Sequence, residues 1–166
     1  MEAVRGSRLI YLFRRHSQAT TAGNILAFTT DNSRSVSNDA DSTVTKNGVI
    51  RTPGEPEIEI TATSIMAKDD DTVKTYEQAM LAGELFDIWE VNLDSPSTTS
   101  GKYEGTYYQG YLTSLDKNSN PDNYVEVSWT FGVNGKGATG DVTVTAEQIE
   151  QASYVFTDAT GTTGST

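Results

Sequence analysis

Residues 124–133 read YVEVSWTFGV, and this stretch decides the fold class. Apolar side chains recur at every second position, and Glu, Ser and Thr occupy positions between them. The alternating apolar residues are Val125, Val127, Trp129, Phe131 and Val133. Such alternation is typical of a strand with one face in a core and the other in water. The sequence therefore predicts a core-facing β-strand here.

Strand composition recurs along most of the chain. In residues 57–66 (EIEITATSIM) Ile58 and Ile60 alternate with acids, and in residues 85–93 (LFDIWEVNL) Trp89, Val91 and Leu93 share a face. Further strands are predicted at 8–15, 25–30, 103–115, 142–144 and 154–157, and the glycine-rich residues 132–140 are expected to form a connection. The sequence thus predicts strands in succession.

One α-helix is predicted between the strands. Three acids at 69–71 precede Val73, Tyr76 and Met80 at helical spacing, and Gly83 is a natural stop. A capping box at Thr145 and Gln148 also predicts a helical turn over 146–151. We therefore expect a mainly β fold, a two-sheet β-sandwich or partial barrel with one flanking α-helix.

Length and pattern divide the chain into a body, an arm and a tail. With 166 residues, a single domain over 1–158 is expected, followed by a mobile tail at 159–166. Within the domain, residues 31–56 lose the alternating pattern. They have few side chains to bury, namely Val36, Val44, Val49 and Ile50. A stretch of this length is either disordered or an interaction arm.

Composition excludes several classes of function. The chain has 12 Lys and Arg against 23 Asp and Glu, so its net charge of −11 argues against a groove that grips nucleic acid. The acidity suits a surface that DNA passes without sticking, or simply solubility. The absence of cysteine excludes disulfides and thiolate chemistry. No apolar run is long enough to span a membrane, the start lacks a signal-peptide pattern, and the protein is expected to stay in the cytoplasm until assembly.

No catalytic, cofactor-binding or metal-ligating residue is predicted. The single histidine, His16, has no patterned Ser or Asp partner. The acids at 69–71 lack the spacing of a calcium loop, so helix capping explains them better. Glu57, Glu59, Glu90 and Glu126 could approach one another as glycosidase carboxylates, but solvent-facing Glu on strands is the default. The tyrosines of 103–111 could stack on sugars or form cross-strand pairs.

Several segments, in this order, resemble the major tail proteins of long-tailed phages that infect Gram-positive bacteria. They are 8–15 (RLIYLFRR), 41–50 (DSTVTKNGVI), the acidic helix start, 82–91 (AGELFDIWEV), 102–112 (KYEGTYYQGYL) and 146–156 (AEQIEQASYVF). The resemblance implies the fold of tail-tube subunits and of the type VI secretion tube protein. It also implies hexameric rings stacked into a tube through which double-stranded DNA passes, with a tape measure protein as a partner in the virion tail.

The tube hypothesis assigns roles to two sets of residues. Glu57, Glu59 and Glu126 are candidate lumen-facing acids that would repel phosphates, although a solvated outer face is an equal alternative. The arm is the candidate contact between rings, with Asp39, Asp41, Thr43, Lys46, Asn47 and Arg51 as its contact residues. The termini, residues 1–7 and 157–166, are the alternative for this contact. The alternative hypothesis is a receptor-binding or decoration β-sandwich of a virion that binds carbohydrate through the tyrosine-rich strand.

Overall fold

The computed structural model describes residues 1–18, 20–23, 25–26 and 29–145. Its strands and helix are β1 (Leu9–Arg15), β2 (Thr29–Thr45), β3 (Gly48–Ile65), α1 (Thr72–Leu81), β4 (Leu85–Pro96), β5 (Lys102–Asn118) and β6 (Glu126–Thr143). All neighbouring strands pair antiparallel in one sheet of order β1-β4-β5-β6-β3-β2. The prediction of a mainly β fold with a flanking helix is confirmed.

The continuous sheet is folded over into two layers. Phe13 of β1 and Phe131 of β6 stack with ring centroids 5.0 Å apart, although β4 and β5 lie between their strands in the sheet. In a flat sheet, three strand spacings would separate those two strands by about 14 Å. The first layer contains β2 and β3, together with residues 112–118 of β5 and residues 126–133 of β6. The second layer contains β1 and β4, together with residues 102–111 of β5 and residues 134–143 of β6.

β5 and β6 belong to both layers because they bend where the layers meet. The β5–β6 register shifts between Tyr107 and Gln109 and again between Leu112 and Ser114. Such bulges bend strands at the corner between two packed sheets. Both bulges lie in the tyrosine-rich strand, which the sequence predicted at 103–115. The prediction of a connection at 132–140 is wrong, because β6 runs unbroken to Thr143 and its glycines permit the bend.

Gly137 sits in this bend, and its replacement by Ala is expected to lower the free energy of unfolding by about 2 kcal/mol or more. Its φ is +77°, and an added Cβ would lie 2.5 Å from the Tyr108 ring. Denaturant unfolding of Gly137→Ala checks this. Gly140→Ala is the matched control on the same strand, because nothing lies within 4 Å of its added Cβ. Equal stability of the two variants would contradict the expectation.

The main core fills the space between the layers and beneath α1. Trp129, Phe131, Ile60, Phe86 and Ile88 contribute fully buried side chains from β6, β3 and β4. Burial of these apolar surfaces is the dominant stabilising term of the fold. The indole N–H of Trp129 donates to the buried Ser64 hydroxyl at 2.9 Å, so the core leaves neither group unpaired.

The helix starts and stops where the sequence predicts. The Asp70 carboxylate accepts the backbone N–H of Thr72 at 2.9 Å, and Gly83 follows the last turn with φ +70°. Tyr76 projects from α1 into the core against Phe86 and Trp129, and burial raises the pKa of its phenol to about 12. The acids at 69–71 thus begin a helix, as predicted. Asp71 is the N-cap residue, but the side chain that accepts a hydrogen bond from the first turn is that of Asp70.

Residues 31–56 form most of a long β-hairpin, β2–β3. Fifteen cross-strand pairs run from Thr29 opposite Ser64 to Thr45 opposite Gly48. Backbone pairing needs no apolar alternation, which is why the sequence pattern did not indicate strands here. The strand predicted at 25–30 is wrong, because β2 begins at Thr29 and residues 25 and 26 are in no strand. The helical turn at 146–151, the strand at 154–157 and the tail at 159–166 lie outside the described residues.

Candidate assembly interface

One face of the first layer is polar, and we call it the polar face. The alternating register places on it Asp31, Ser33, Ser35, Ser37, Glu57, Glu59, Thr61, Thr63, Ser114, Asp116, Asn118, Glu126, Ser128 and Thr130. Five of these are acids and none is Lys or Arg, so the face has one sign of charge. The opposite face of the same strands packs Ile58, Ile60, Val127 and Trp129 into the core. The two faces therefore follow the strand alternation seen in the sequence.

All three candidate lumen acids lie on the polar face. Glu57 and Glu59 are neighbours on β3, and Glu126 is at the start of β6 opposite Ile65. All three side chains are exposed. The structure therefore brings Glu126 onto the same surface as Glu57 and Glu59, although the sequence pattern had assigned it to a separate strand.

Both sides of the first layer end in unpaired strand edges. β2 is the last strand of the sheet and pairs only with β3 among the described residues. On the other side, the β4 ladder reaches β5 only as far as Tyr111, so residues 112–118 pair with β6 alone in the described part of the chain. Unpaired edges expose backbone donors and acceptors and can pair with another chain.

Of the arm predicted at 31–56, residues 31–37 pair within the first layer, and only the distal part of the β2–β3 hairpin projects beyond it. From here on, the arm means residues 38–56. β3 pairs with β6 only at 58–65, so 48–57 has no strand neighbour other than β2 in the described structure. The candidate contact residues Asp39, Asp41, Thr43, Lys46, Asn47 and Arg51 are all exposed. A bulge at Asn38 and Ala40 requires Gly54, whose added Cβ would collide with the Asp39 carbonyl oxygen.

A polar contact ties β2 across to the second layer. The Arg34 guanidinium of β2 donates to the Glu90 carboxylate of β4 at 2.7 Å, and the Tyr11 hydroxyl of β1 donates to the same oxygen at 2.5 Å. Burial, together with the hydrogen bond to Glu90, raises the pKa of Tyr11 well above its ordinary value. In sheet order β2 and β4 are four positions apart, so this contact exists only because the sheet folds over.

The buried carboxylate of Asp87 links side chains of β1, of the segment after β1 and of β5 on the outer side of the second layer. Asp87 is fully buried and accepts two hydrogen bonds from Arg14, at 2.8 and 3.0 Å. Its other oxygen accepts from the Tyr107 hydroxyl at 2.5 Å and lies 2.9 Å from Nδ1 of His16. The Arg14 guanidinium also lies 4.8 Å from the centre of the Trp89 ring. This network fixes the chain after β1 to the sheet.

Burial by itself raises the pKa of the Asp87 carboxyl. The hydrogen bonds from Tyr107, His16 and Arg14 outweigh that effect and hold the pKa below its ordinary value. The same contacts make His16 a structural partner of Asp87 rather than an unpartnered surface histidine. No Ser, Cys or Thr is hydrogen-bonded to this pair in the described contacts, so the geometry supports structural stabilisation.

The described residues contain neither a membrane-spanning helix nor a metal-binding cluster. No helix in that part of the chain is long and apolar enough to cross a membrane. Likewise, no group of three or more His, Cys, Asp or Glu side chains in the same part is arranged to hold a metal ion.

Sequence reasoning missed Arg34 and Asp87. An acid inside the apolar stretch 85–93 is a signal that could have indicated Asp87, because a buried charge requires partners. Its partner Arg14 is 73 residues away, so no local pattern names it. Arg34 lies in a stretch without alternation, and its role depends on how the sheet folds.

A sequence model of the phage tail tube protein family matches residues 3–138, and the chain belongs to this family. A putative tail protein of Staphylococcus phage phiMR25 is 27% identical over 156 residues, which cover 91% of this chain and 80% of that protein. The family resemblance noted in the sequence is thereby confirmed. The chain is a structural protein of a phage tail tube and a component of the virion tail.

Solved structures share the fold. The SPP1 tail tube matches with a TM-score of 0.78 and 21% identity over 98% of this chain and 95% of that chain. The tail of an empty GTA particle, with C6 symmetry, matches with a TM-score of 0.66 and 14% identity over 83% of this chain and 99% of that chain. The first is a tail tube and the second is a tail, so the described fold is one that occurs in phage and particle tails.

Proposed function

We propose that the protein assembles side by side into six-membered rings that stack into the tail tube, a conduit for double-stranded DNA into the host. The observation that supports this is the first layer, which has a polar face without Lys or Arg and ends on both sides in strand edges that have no partner in the described part of the chain. A surface of this kind can be repeated by edge pairing and closed into a barrel.

The strand directions favour pairing between β2 of one copy and residues 112–118 of β5 of the next. Across the first layer the order is β5, β6, β3, β2, with every neighbour antiparallel. A second copy in the same orientation would place its β5 antiparallel to the first copy's β2. Adding further copies in this way therefore continues the antiparallel strand pairing from one copy to the next without a break. The C6 symmetry of the similar GTA tail supports six copies.

In such a ring we assign the polar face to the lumen. Glu57, Glu59 and Glu126, together with Asp31 and Asp116, would then line the channel. Carboxylates repel DNA phosphates within about a Debye length, near 10 Å at ordinary salt. Hydroxyl side chains and the Asn118 amide fill the remaining positions without adding positive charge. DNA would therefore pass without being held.

The remaining roles follow from the same assembly. The arm, including Asp39, Asp41, Thr43, Lys46, Asn47 and Arg51, would reach the adjacent ring. A tape measure protein and other tail proteins would be partners, production would take place in the host cytoplasm, and the protein would act without catalysis.

Engineered disulfides test the ring. The chain has no cysteine, so Ser35→Cys on β2 can be combined with cysteine at Ser114, Asp116 or Asn118 of β5. Within one copy β3 and β6 separate these strands by about 14 Å, too far for a disulfide. Oxidation of assembled protein is therefore expected to give a ladder of covalent oligomers ending at six copies on a denaturing gel.

The control variant pairs Ser35→Cys with Lys74→Cys on the exposed side of α1. It should give no ladder, and negative-stain electron microscopy should show rings or tubes for the unmodified protein. Rings without a ladder at any of the three β5 positions would contradict the edge assignment. A compact trimer that binds saccharide would contradict the ring and favour the carbohydrate-binding module.

A further inference from the structure

β2, the strand that forms one edge of the proposed ring, is weakly anchored by its side chains. None of its 17 residues is buried, whereas the strands β3 and β6 bury Ile60, Trp129 and Phe131. Among the described residues, its backbone pairs with β3 alone. Segments with few buried apolar contacts open locally at a lower free energy than the core does. The position of this edge in a single subunit therefore depends on the polar contacts that β2 makes.

One hydrogen-bonded contact reaches from β2 to the second layer, and we call it the cross-layer contact. It consists of Arg34 of β2, Glu90 of β4 and Tyr11 of β1. The Arg34 guanidinium and the Tyr11 hydroxyl donate to the same oxygen of Glu90, at 2.7 and 2.5 Å. Among the described hydrogen bonds, no other side chain of β2 reaches the second layer. The cross-layer contact is therefore the polar link between the ring edge and the second layer.

The burial of Glu90 makes the cross-layer contact stronger than an ordinary surface ion pair. The Glu90 side chain is 14% exposed and the Arg34 side chain 34% exposed. A hydrogen bond between two charged groups is stronger than one between neutral groups. Without Arg34, a mostly buried carboxylate would keep Tyr11 as its hydrogen-bond donor and lose the opposite charge, which is unfavourable. This electrostatic attraction holds β2 near β4.

We propose that the cross-layer contact positions the free edge of β2 for pairing with the next copy in the ring, so that Arg34 and Glu90 are positioning residues for assembly. Arg34 lies within residues 29–37, the part of β2 that pairs within the first layer. With the contact formed, this segment is ordered before a second copy arrives, and such preorganisation reduces the entropic cost of association. The proposal rests on the proposed ring and adds a contact inside one subunit that controls its edge.

The substitution Glu90→Gln removes the charge of the cross-layer contact and keeps the size of the side chain. In the unassembled subunit, hydrogen exchange at the amides of 29–37 that pair with β3 is expected to become about tenfold faster, the scale of one hydrogen bond to a charged group. In the assembly experiment, the disulfide ladder from Ser35→Cys and its β5 partner cysteine should grow more slowly by a similar factor.

The matched control is Asp94→Asn. It also removes one acid from β4 and breaks a pair with an arginine, since Asp94 lies 2.9 Å from Arg8. Arg8 hydrogen-bonds to Asp94 and to the Leu93 carbonyl oxygen, and neither acceptor belongs to β2. Exchange in β2 and growth of the ladder should therefore match those of the unmodified protein.

Substitution of Arg34 tests the other side of the cross-layer contact. Arg34→Met removes the charge and should slow the ladder as Glu90→Gln does, whereas Arg34→Lys keeps the charge and should slow it less. The combined variant, Arg34→Met with Glu90→Gln, should slow the ladder no more than the slower single variant, because both substitutions remove the same contact. Additive slowing would show that the two residues act separately.

Three results for Glu90→Gln would overturn the positioning role while leaving the ring intact. They are unchanged exchange in β2, equally faster exchange in β1, β4 and β2, and normal ladder growth despite faster exchange in β2. The second result would mean that the contact stabilises the whole fold and not the edge. If the unmodified protein forms neither rings nor the ladder, the proposed function fails and the positioning role fails with it. The exchange measurement needs no ring and reports separately whether the contact orders β2.

Discussion

Replacement of Asp87 by Asn is expected to lower the free energy of unfolding by about 3 kcal/mol, a typical cost of breaking a buried ion pair. The variant keeps the size of the side chain but removes the charge that Arg14, His16 and Tyr107 all contact. Arg14 remains mostly buried, with 19% of its side chain exposed, and loses its carboxylate partner. Denaturant unfolding at neutral pH and constant salt measures the effect.

Asp94→Asn is the matched control for this substitution. Asp94 is on the same strand and also pairs with an arginine of the N-terminal region, Arg8, at 2.9 Å. That pair is solvent-exposed, so its loss should cost about 1 kcal/mol or less. Equal effects of the two substitutions would show that burial of Asp87 adds nothing to its contribution.

The pKa of Asp87 also predicts how stability depends on pH. Because its folded-state pKa is below the ordinary value of 3.8, its contribution is fully present above about pH 5. It is lost as the pH falls through the lowered pKa and the carboxylate becomes protonated. Below pH 4, the unfolding free energy of Asp87→Asn should therefore fall less steeply than that of the unmodified protein. Parallel curves would contradict this assignment.

Replacement of Phe131 by Ala is expected to cost about 4 kcal/mol, in the range for deletion of a buried aromatic ring. The Phe131 ring is fully buried and lies 5.0 Å from Phe13 and 5.5 Å from Phe86, measured between centroids. It belongs to the first layer, whereas both partners belong to the second. The cavity would therefore open between the layers, where backbone pairing along the sheet cannot close it.

Tyr111→Ala on the neighbouring strand controls for the loss of an aromatic side chain as such. Tyr111 is 43% exposed, so its removal should cost about 1 kcal/mol. Thermal or denaturant unfolding of both variants below the concentration for assembly gives the comparison. A cost for Phe131→Ala no larger than that for Tyr111→Ala would mean that the two layers do not depend on this contact.

Local patterns predicted the elements whose residues face a core. The alternation at 57–66 and 124–133 correctly identified Ile60, Trp129 and Phe131 as buried, and the acids at 69–71 with Gly83 correctly bounded α1. In each case a side chain's environment follows from the period of its own strand or helix. The same reasoning failed at 132–140, where glycine marked a bend inside a strand and not its end.

In the arm, the sequence pattern does not predict the secondary structure. Both strands of the hairpin are exposed beyond the first layer, so no alternation distinguishes their faces. Pairing of each strand with its partner holds the two strands in place, whereas the sequence between 31 and 56 was compatible both with an interaction arm and with disorder. That Val44, Val49 and Ile50 are exposed could be recognised only from the structure, in which the hairpin projects beyond the first layer.

By itself, the sequence determined that the protein is mainly β, acidic, without cysteine, and which face of its best strands is buried, because these properties depend on composition and on neighbours in the chain. The tertiary structure was needed to show that one sheet folds into two layers, that β2 and residues 112–118 are edges without a further strand partner among the described residues, and that Asp87 contacts Arg14. These features depend on pairings between residues far apart in sequence, 73 residues in the last case, and no local period encodes them.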